Sequence, residues 1–294
     1  MKNKVFNYIS FWFNQDFRYA DRISVFKKLL MLFIILNSFI VLLGAHSILG
    51  PEAYFQSAPP QFNGISPLIS FWNYPAFLPY NWVFIIMLMV FAALVYLEKF
   101  ERWMTFLVFI FWMNFLSRTT VINTGGEVLV GLFLFYLMFV GRVKSEDKNL
   151  QLVQNAMNNT FTYAIVIQFL SVYIISSWWK MLDEGWMGGF AFLHAINIDT
   201  YSFFGLGEFL YNHVWIAKSL TYLALLYQVA FPLLVWNKKI KPYLLFVGVL
   251  FHLGIAIMMG IFSFGLVMII SYSLFLNDRQ LEKIKKKMPF VKSD

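Results

Sequence analysis

The sequence predicts an all-α integral membrane protein with about eight transmembrane helices, both termini cytoplasmic and two long outer loops. Three observations lead there. Of its 294 residues, 60% are hydrophobic and only 13% charged, whereas a soluble domain is nearer half apolar and a quarter charged; mean hydropathy is +0.66. Apolar runs recur at about the 20 residues that a helix needs to cross a bilayer core. The lysines and arginines collect on one side of those runs.

The runs are 29–49, 82–97, 103–121, 126–140, 161–179, 214–236, 243–258 and 261–276. The second, fourth, seventh and eighth are short for full spans, so they need tilt, polar flanks or a shared hairpin to reach across. Gly260 marks either a tight turn between the last two runs or a kink in one long helix. With the N-terminus placed in the cytoplasm, the inner segments hold Lys2, Lys4, Arg18, Arg22, Lys27 and Lys28; Lys99 and Arg102; Arg142, Lys144 and Lys148; Lys238, Lys239 and Lys241; and Arg279, Lys283, Lys285, Lys286, Lys287 and Lys292. Only Arg118, Lys180 and Lys218 fall outside. This is the asymmetry of the positive-inside rule, and it points to a multi-pass protein of the inner (plasma) membrane.

The organisation follows. Residues 1–28 read as a cytoplasmic amphipathic N-terminal segment, 29–277 as one polytopic membrane domain, and 278–294 as a basic cytoplasmic tail. The tail's "KIKKKMPFVK" suits anionic lipid headgroups, at about 1 kcal/mol per nearby cation. No signal peptide is visible, because the first apolar run is long enough to remain as a span. The first outer loop, about 50–81, has no Lys or Arg but carries Pro51, Pro59, Pro60, Pro67, Pro75 and Pro79. The second, about 181–213, mixes Trp186, His194, Asp199, Glu208 and His213 with enough apolar residues to lie on the membrane face.

The absence of cysteine excludes disulfides, thiol catalysis and thiolate metal sites. The four histidines are too scattered for a metal site by spacing. No phosphate-binding loop, dinucleotide fingerprint or internal repeat is present. The net charge of +8 reflects orientation in the bilayer rather than nucleic-acid binding.

Ionisable and polar residues at membrane depth are costly unless paired or wet, and three places hold them. In "NFLSRTTVINTGGEVLVG", residues 114–131, Asn114 and Arg118 are four apart, as are Asn123 and Glu127. They form either a tight outer turn, with Arg118 reaching outward and Glu127 pairing with it, or the floor of a polar pocket. In "SSWWKMLDEGWMGGF", Lys180 stands among Trp178, Trp179 and Trp186. It is either an interfacial lysine in an aromatic belt or a base, since apolar surroundings disfavour a charged amine. Asp183 and Glu184 argue against the base if they pair with it. In "LFVGVLFHLGIAIMMGIFSFG", His252 lies inside an apolar helix and serves either another helix or a pocket. Gln228, near the helix-perturbing Pro232, can bond across helices.

"YIISSWWKMLDEGWMGGFAF" resembles the lysine motif of the HTTM (horizontally transferred transmembrane) family, which includes the membrane domain of vitamin K-dependent gamma-glutamyl carboxylase. "INTGGEVLVGLFLFYLMFV" resembles that family's Asn-x-Gly-Gly/Asp segment at the start of a helix, and "FHLGIAIMMGIFSFGLVMIISYSLFL" its late histidine segment. The three occur in the family's order, and the resemblance covers about 20–277.

The resemblance implies that Lys180 is the base that deprotonates a vitamin K-like hydroquinone such as reduced menaquinone. The oxygenated quinone then abstracts a glutamate gamma proton and carbon dioxide is captured. Asn123, Glu127, Trp179, Trp186, His252 and Arg118 would shape the pocket. Two features depart from the carboxylase. Its Asn-His pair has no counterpart in Asn123-Thr124-Gly125-Gly126, and no large luminal region follows the last span. Three readings therefore stay open: a carboxylase-like membrane enzyme (a lyase or oxidoreductase) using a reduced quinone, a maturation or export factor for a secreted peptide of the sporulation-delaying-toxin type, and a non-catalytic accessory protein.

Overall fold

A computed structural model describes residues 17, 19–53, 66–141, 147–198 and 206–287. Among these residues every regular element is helical. The amphipathic reading of residues 1–16 and most of the proline-rich part of the first outer loop lie outside them. In chain order the α-helices are α1 (Ala20–Leu43), α2 (Ala45–Leu49), α3 (Ser66–Ser70), α4 (Asn81–Tyr96), α5 (Glu101–Arg118), α6 (Gly125–Leu137) and α7 (Lys148–Met181). There follow α8 (Glu184–Met187), α9 (Ala191–Ile196), α10 (Leu206–Asn212), α11 (Val214–Leu234), α12 (Lys241–Met258), α13 (Phe262–Ser271) and α14 (Asp278–Lys287).

Most of each apolar run lies in a helix or a consecutive pair, and some runs extend up to three residues past the helix end. Among the described residues, five helical segments are long and apolar enough to cross a membrane: α1, Leu78–Tyr96, α7, α11 and α12. The apolar stretches Gly125–Leu137 and Phe262–Phe275 are shorter. The last two runs are separate helices. Gly260 adopts φ 68° between α12 and α13, the left-handed conformation that glycine takes without steric cost.

α12 shows why this is a membrane protein's packing. Its buried positions are Leu245, Gly248, His252 and Ala256, at helical spacing. Its exposed positions include Tyr243, Phe246, Val247, Leu250 and Ile257. Apart from Leu245, small and polar groups face inward while large apolar groups face outward, the reverse of a soluble amphipathic helix.

The described residues divide into two compact units, 1–165 with 276–294, and 166–275. In the first, α1 packs on α4, α4 on α5, and α5 on α6 and α3. Its core joins Phe26, Leu30 and Ile34 with Leu88, Ala92, Trp112, Phe115 and Phe133; Phe26 meets Phe133 edge-on at 5.1 Å. α14 docks on α1 through buried Leu281 and an Arg22–Asp278 ion pair of 3.4 Å. In the second unit, α12 packs on α13 and α11, and the short helices α8, α9 and α10 lie against α11. Leu193, Ile196, Leu210 and Ala217 form the core of that contact.

The end of α4 places a charge under constraint. Lys99 N–H donates to Leu94 O and Glu98 N–H to Val95 O, the paired bonds of a Schellman motif. Glu98 occupies the left-handed position at φ 57°, where glycine is usual. Its carboxylate reaches buried Lys28 at 2.7 Å. The side chain is thus retained against its backbone preference. Glu98→Ala and Glu98→Gly both lose the pair, but only alanine keeps the strain. Thermal unfolding in detergent should show Glu98→Ala as the less stable of the two by about 1 kcal/mol.

Candidate functional site

In the first unit, Arg118, Asn123 and Glu127 sit where α5 turns into α6, and each is used by the backbone. Arg118 is buried rather than reaching outward. Its Nε donates to Leu49 O at 3.1 Å and a terminal nitrogen to Gly50 O at 2.7 Å, satisfying carbonyls at the end of α2. Asn81 Nδ2 shares Leu49 O at 2.8 Å. Glu127 is not Arg118's partner; it closes a capping box with Thr124, accepting from Thr124 N–H at 2.8 Å. Asn123 Oδ1 accepts from the Thr119 hydroxyl and its Nδ2 donates to Leu116 O. Asn114 is fully buried and bridges to Leu68 O while accepting from Trp72 N–H.

In the second unit, Lys180 lies in the last turn of α7. Its Nζ donates to Gln228 Oε1 at 2.7 Å and stands 4.4 Å from the Trp186 ring centroid. The ring is placed by α8. Asp183 Oδ1 accepts from Trp186 N–H at 3.0 Å and so caps that helix. Asp183 and Glu184 are exposed, and among the described residues no carboxylate lies within ion-pair distance of Lys180. Trp178 and Trp179 are exposed on the outer side of α7, so of the three neighbouring tryptophans only Trp186 covers the amine.

Gln228 sits on α11, four residues before Pro232, which has no N–H to return to the Gln228 carbonyl. The loop after α8 is clamped to the same helix. Tyr222 donates to Met187 O at 2.9 Å, and Thr221 Oγ1 accepts from Phe192 N–H at 3.1 Å. Gly189, at φ 80°, lies where a side chain would press on Lys218 and the Tyr222 ring.

Deeper in this unit is a cluster that sequence reasoning missed except for its histidine. The Tyr173 hydroxyl lies 2.9 Å from His252 Nε2 and 2.7 Å from the Tyr272 hydroxyl, which is 2.8 Å from the Tyr227 hydroxyl. Tyr227 also donates to Leu244 O at 3.3 Å. All four side chains are buried. Gly248 makes the cluster possible: a Cβ there would stand 2.1 Å from the Tyr227 hydroxyl and 2.3 Å from that of Tyr272. The available signal was spacing. Tyr173, Ser177 and Lys180 are four and three apart on α7, which aligns them on one helical face, and Tyr173 and Ser177 are both buried.

The structure therefore gathers Lys180, Trp186, Gln228 and His252 within one unit, and Arg118, Asn123 and Glu127 within the other. Comparison of the chain with models of known families, with curated proteins and with solved structures finds no match.

Two rigid rings would have to move for a methyl group at position 248. Gly248→Ala should lower stability by about 1–3 kcal/mol and disturb the hydroxyl cluster. Tyrosine ultraviolet resonance Raman of the detergent-solubilised protein, run beside a melting curve, measures both effects.

Proposed function

We propose that this chain is a multi-pass inner-membrane enzyme of the HTTM type, in which Lys180 serves as a base at the outer face toward the hydroxyl of a reduced quinone. The observation that carries the reading is the company of Lys180: a neutral amide and an aromatic ring, with no carboxylate within ion-pair distance among the described residues. A nearby carboxylate favours the ammonium form. Gln228 accepts one N–H and leaves the lone pair of a neutral amine available. Trp186 presents a ring face, which suits a flat aromatic substrate as well as the amine.

The step is a proton transfer. A hydroquinone O–H bond breaks, an N–H bond forms on Lys180, and an ammonium and a hydroquinone monoanion result. The anion is the electron-rich form that dioxygen oxidises. A positioned base contributes about 10²–10⁴-fold to such a step. The substrate's apolar tail would remain among the exposed phenylalanines and leucines that face the bilayer.

Eight spans with both termini cytoplasmic complete this reading and put the end of α7 outside. The topology rests on the one-sided distribution of the cations and on a helix over each apolar run.

Two experiments bear on it. In nanodiscs supplied with reduced menadione, Lys180→Ala should lower hydroquinone oxidation by at least about 100-fold. Gln228→Glu, which keeps the shape but puts a carboxylate beside the amine, should lower it comparably. Unchanged rates in both variants would sink the base assignment.

The chain contains no cysteine, so single cysteines report sidedness directly. In intact cells, Glu184→Cys should react with a membrane-impermeant maleimide and Lys238→Cys only after permeabilisation. The reverse pattern would refute the orientation.

A further inference from the structure

The charge count of the basic C-terminal segment does not say whether its cations share a face; the docking of α14 does. The helix opens on a reciprocal cap. Asn277 Oδ1 accepts from Gln280 N–H at 2.9 Å, and Gln280 Oε1 accepts from Asn277 N–H at 3.0 Å. Leu281, 2% exposed, marks the face that packs on α1. Asp278 pairs with Arg22 of α1 at 3.4 Å. Arg22 in turn lies over the Tyr19 ring, 5.3 Å from its centroid, and Tyr19 meets Tyr163 of α7 edge-on at 5.5 Å. α14 is thus a helix tied to the first unit, with a defined inner and outer side.

The outer side is basic. Arg279, Lys283 and Lys286 fall within roughly 60° of one another around the helix axis, on the side opposite Leu281. All three are exposed, and none has an ion-pair partner among the described residues. Asp278 is committed to Arg22, and exposed Glu282 borders the stripe without pairing with its cations. The cations of α1 are used differently: Lys28 is buried against Glu98 at 2.7 Å, and Lys27 is buried beside it in sequence. The ion pair also sets a depth. Arg22 precedes the apolar run that starts at residue 29 by seven residues, at most roughly 10 Å along a helix. The headgroup layer is roughly 5–8 Å deep on each side of the hydrocarbon. The start of α14 therefore lies near the outer edge of that layer, within a Debye length, roughly 8–10 Å, of its phosphates.

We propose that the Arg279–Lys283–Lys286 face of α14 binds the headgroups of anionic phospholipids. Charge complementarity and depth together name this occupant. Three exposed cations in line meet a surface of phosphates at the level where the helix is pinned, and each cation near such a surface adds to the attraction. Because Asp278 and Leu281 tie the opposite side of the same helix to α1, the bound headgroups brace α14 against the first unit from its free side. The proposal is independent of the role of Lys180. The orientation proposed above adds only that the lipids are those of the inner leaflet.

The test uses the full chain in nanodiscs of phosphatidylcholine, with and without phosphatidylglycerol, and follows backbone amide exchange in α14 by mass spectrometry. In the wild type, exchange should be about tenfold or more slower in the anionic discs, and added salt should remove most of that difference. The combined variant Arg279→Gln, Lys283→Gln, Lys286→Gln should exchange alike in both lipids. Lys283→Arg with Lys286→Arg, which keeps the charges, should retain the wild-type difference.

The lipid and salt comparisons use the wild type alone, so they do not require the variants to fold equally well. Equal exchange of the wild type in the two lipids, or a difference that survives the glutamine substitutions, overturns the proposal. So does protection of α14 in neutral discs by inorganic phosphate or by an acidic polypeptide that equals the protection given by anionic lipid. None of these outcomes touches hydroquinone oxidation, so the failure of this proposal and the failure of the base assignment are read separately.

Discussion

A hydrocarbon solvent offers no hydrogen bonds, so each polar group that enters it must be answered from within the protein. This constraint organises the structure at every scale. It turns α12 inside out, with Gly248 and His252 buried and phenylalanine, valine and leucine outward. It commits Arg118 to the open carbonyls that end α2, and Glu127 to the open N–H groups that start α6. Large polar side chains here act largely as backbone chemistry. The answer is incomplete at several buried atoms, Trp72 Nε1, Asn81 Oδ1 and His252 Nδ1 among them, which have no hydrogen-bond partner among the described residues.

The fold class was legible because it depends on composition and periodicity, which are properties of segments. Most of every apolar run is helical. What segment reasoning could not reach was set by single residues. α1 begins at Ala20 because helix propagates through polar residues well before the hydrocarbon stretch begins. The choice between one kinked helix and two after Lys241 turned on whether Gly260 would adopt a positive φ, a conformation open to glycine but not dictated by it.

The candidate site was legible in part for the same reason. Lys180 and His252 drew notice as ionisable groups in apolar sequence. The tyrosines did not, because in an apolar helix a tyrosine is indistinguishable from an interfacial aromatic until its hydroxyl is located. The expected pairing of Glu127 with Arg118 failed for a local reason: a carboxylate three residues after a threonine at a helix start has a nearer set of donors. Asp183 is similar. Its proximity to Lys180 in sequence suggested an ion pair, but in space it caps α8 and so delivers the Trp186 ring to the amine.

Pro232 has a mechanical meaning. A helix bends where a rung of its ladder is missing, and in α11 the missing rung is the one that would end on the Gln228 carbonyl. The amide that holds Lys180 is therefore mounted at the turn of its helix that lacks a rung, while the short helices α8 and α9 are tied to the preceding turns of α11 by Thr221 and Tyr222. A small flexure at that joint would change the reach between amide and amine without unpacking the loop above. The grip on the amine thus depends on a helix turn that its own backbone ladder does not fully hold.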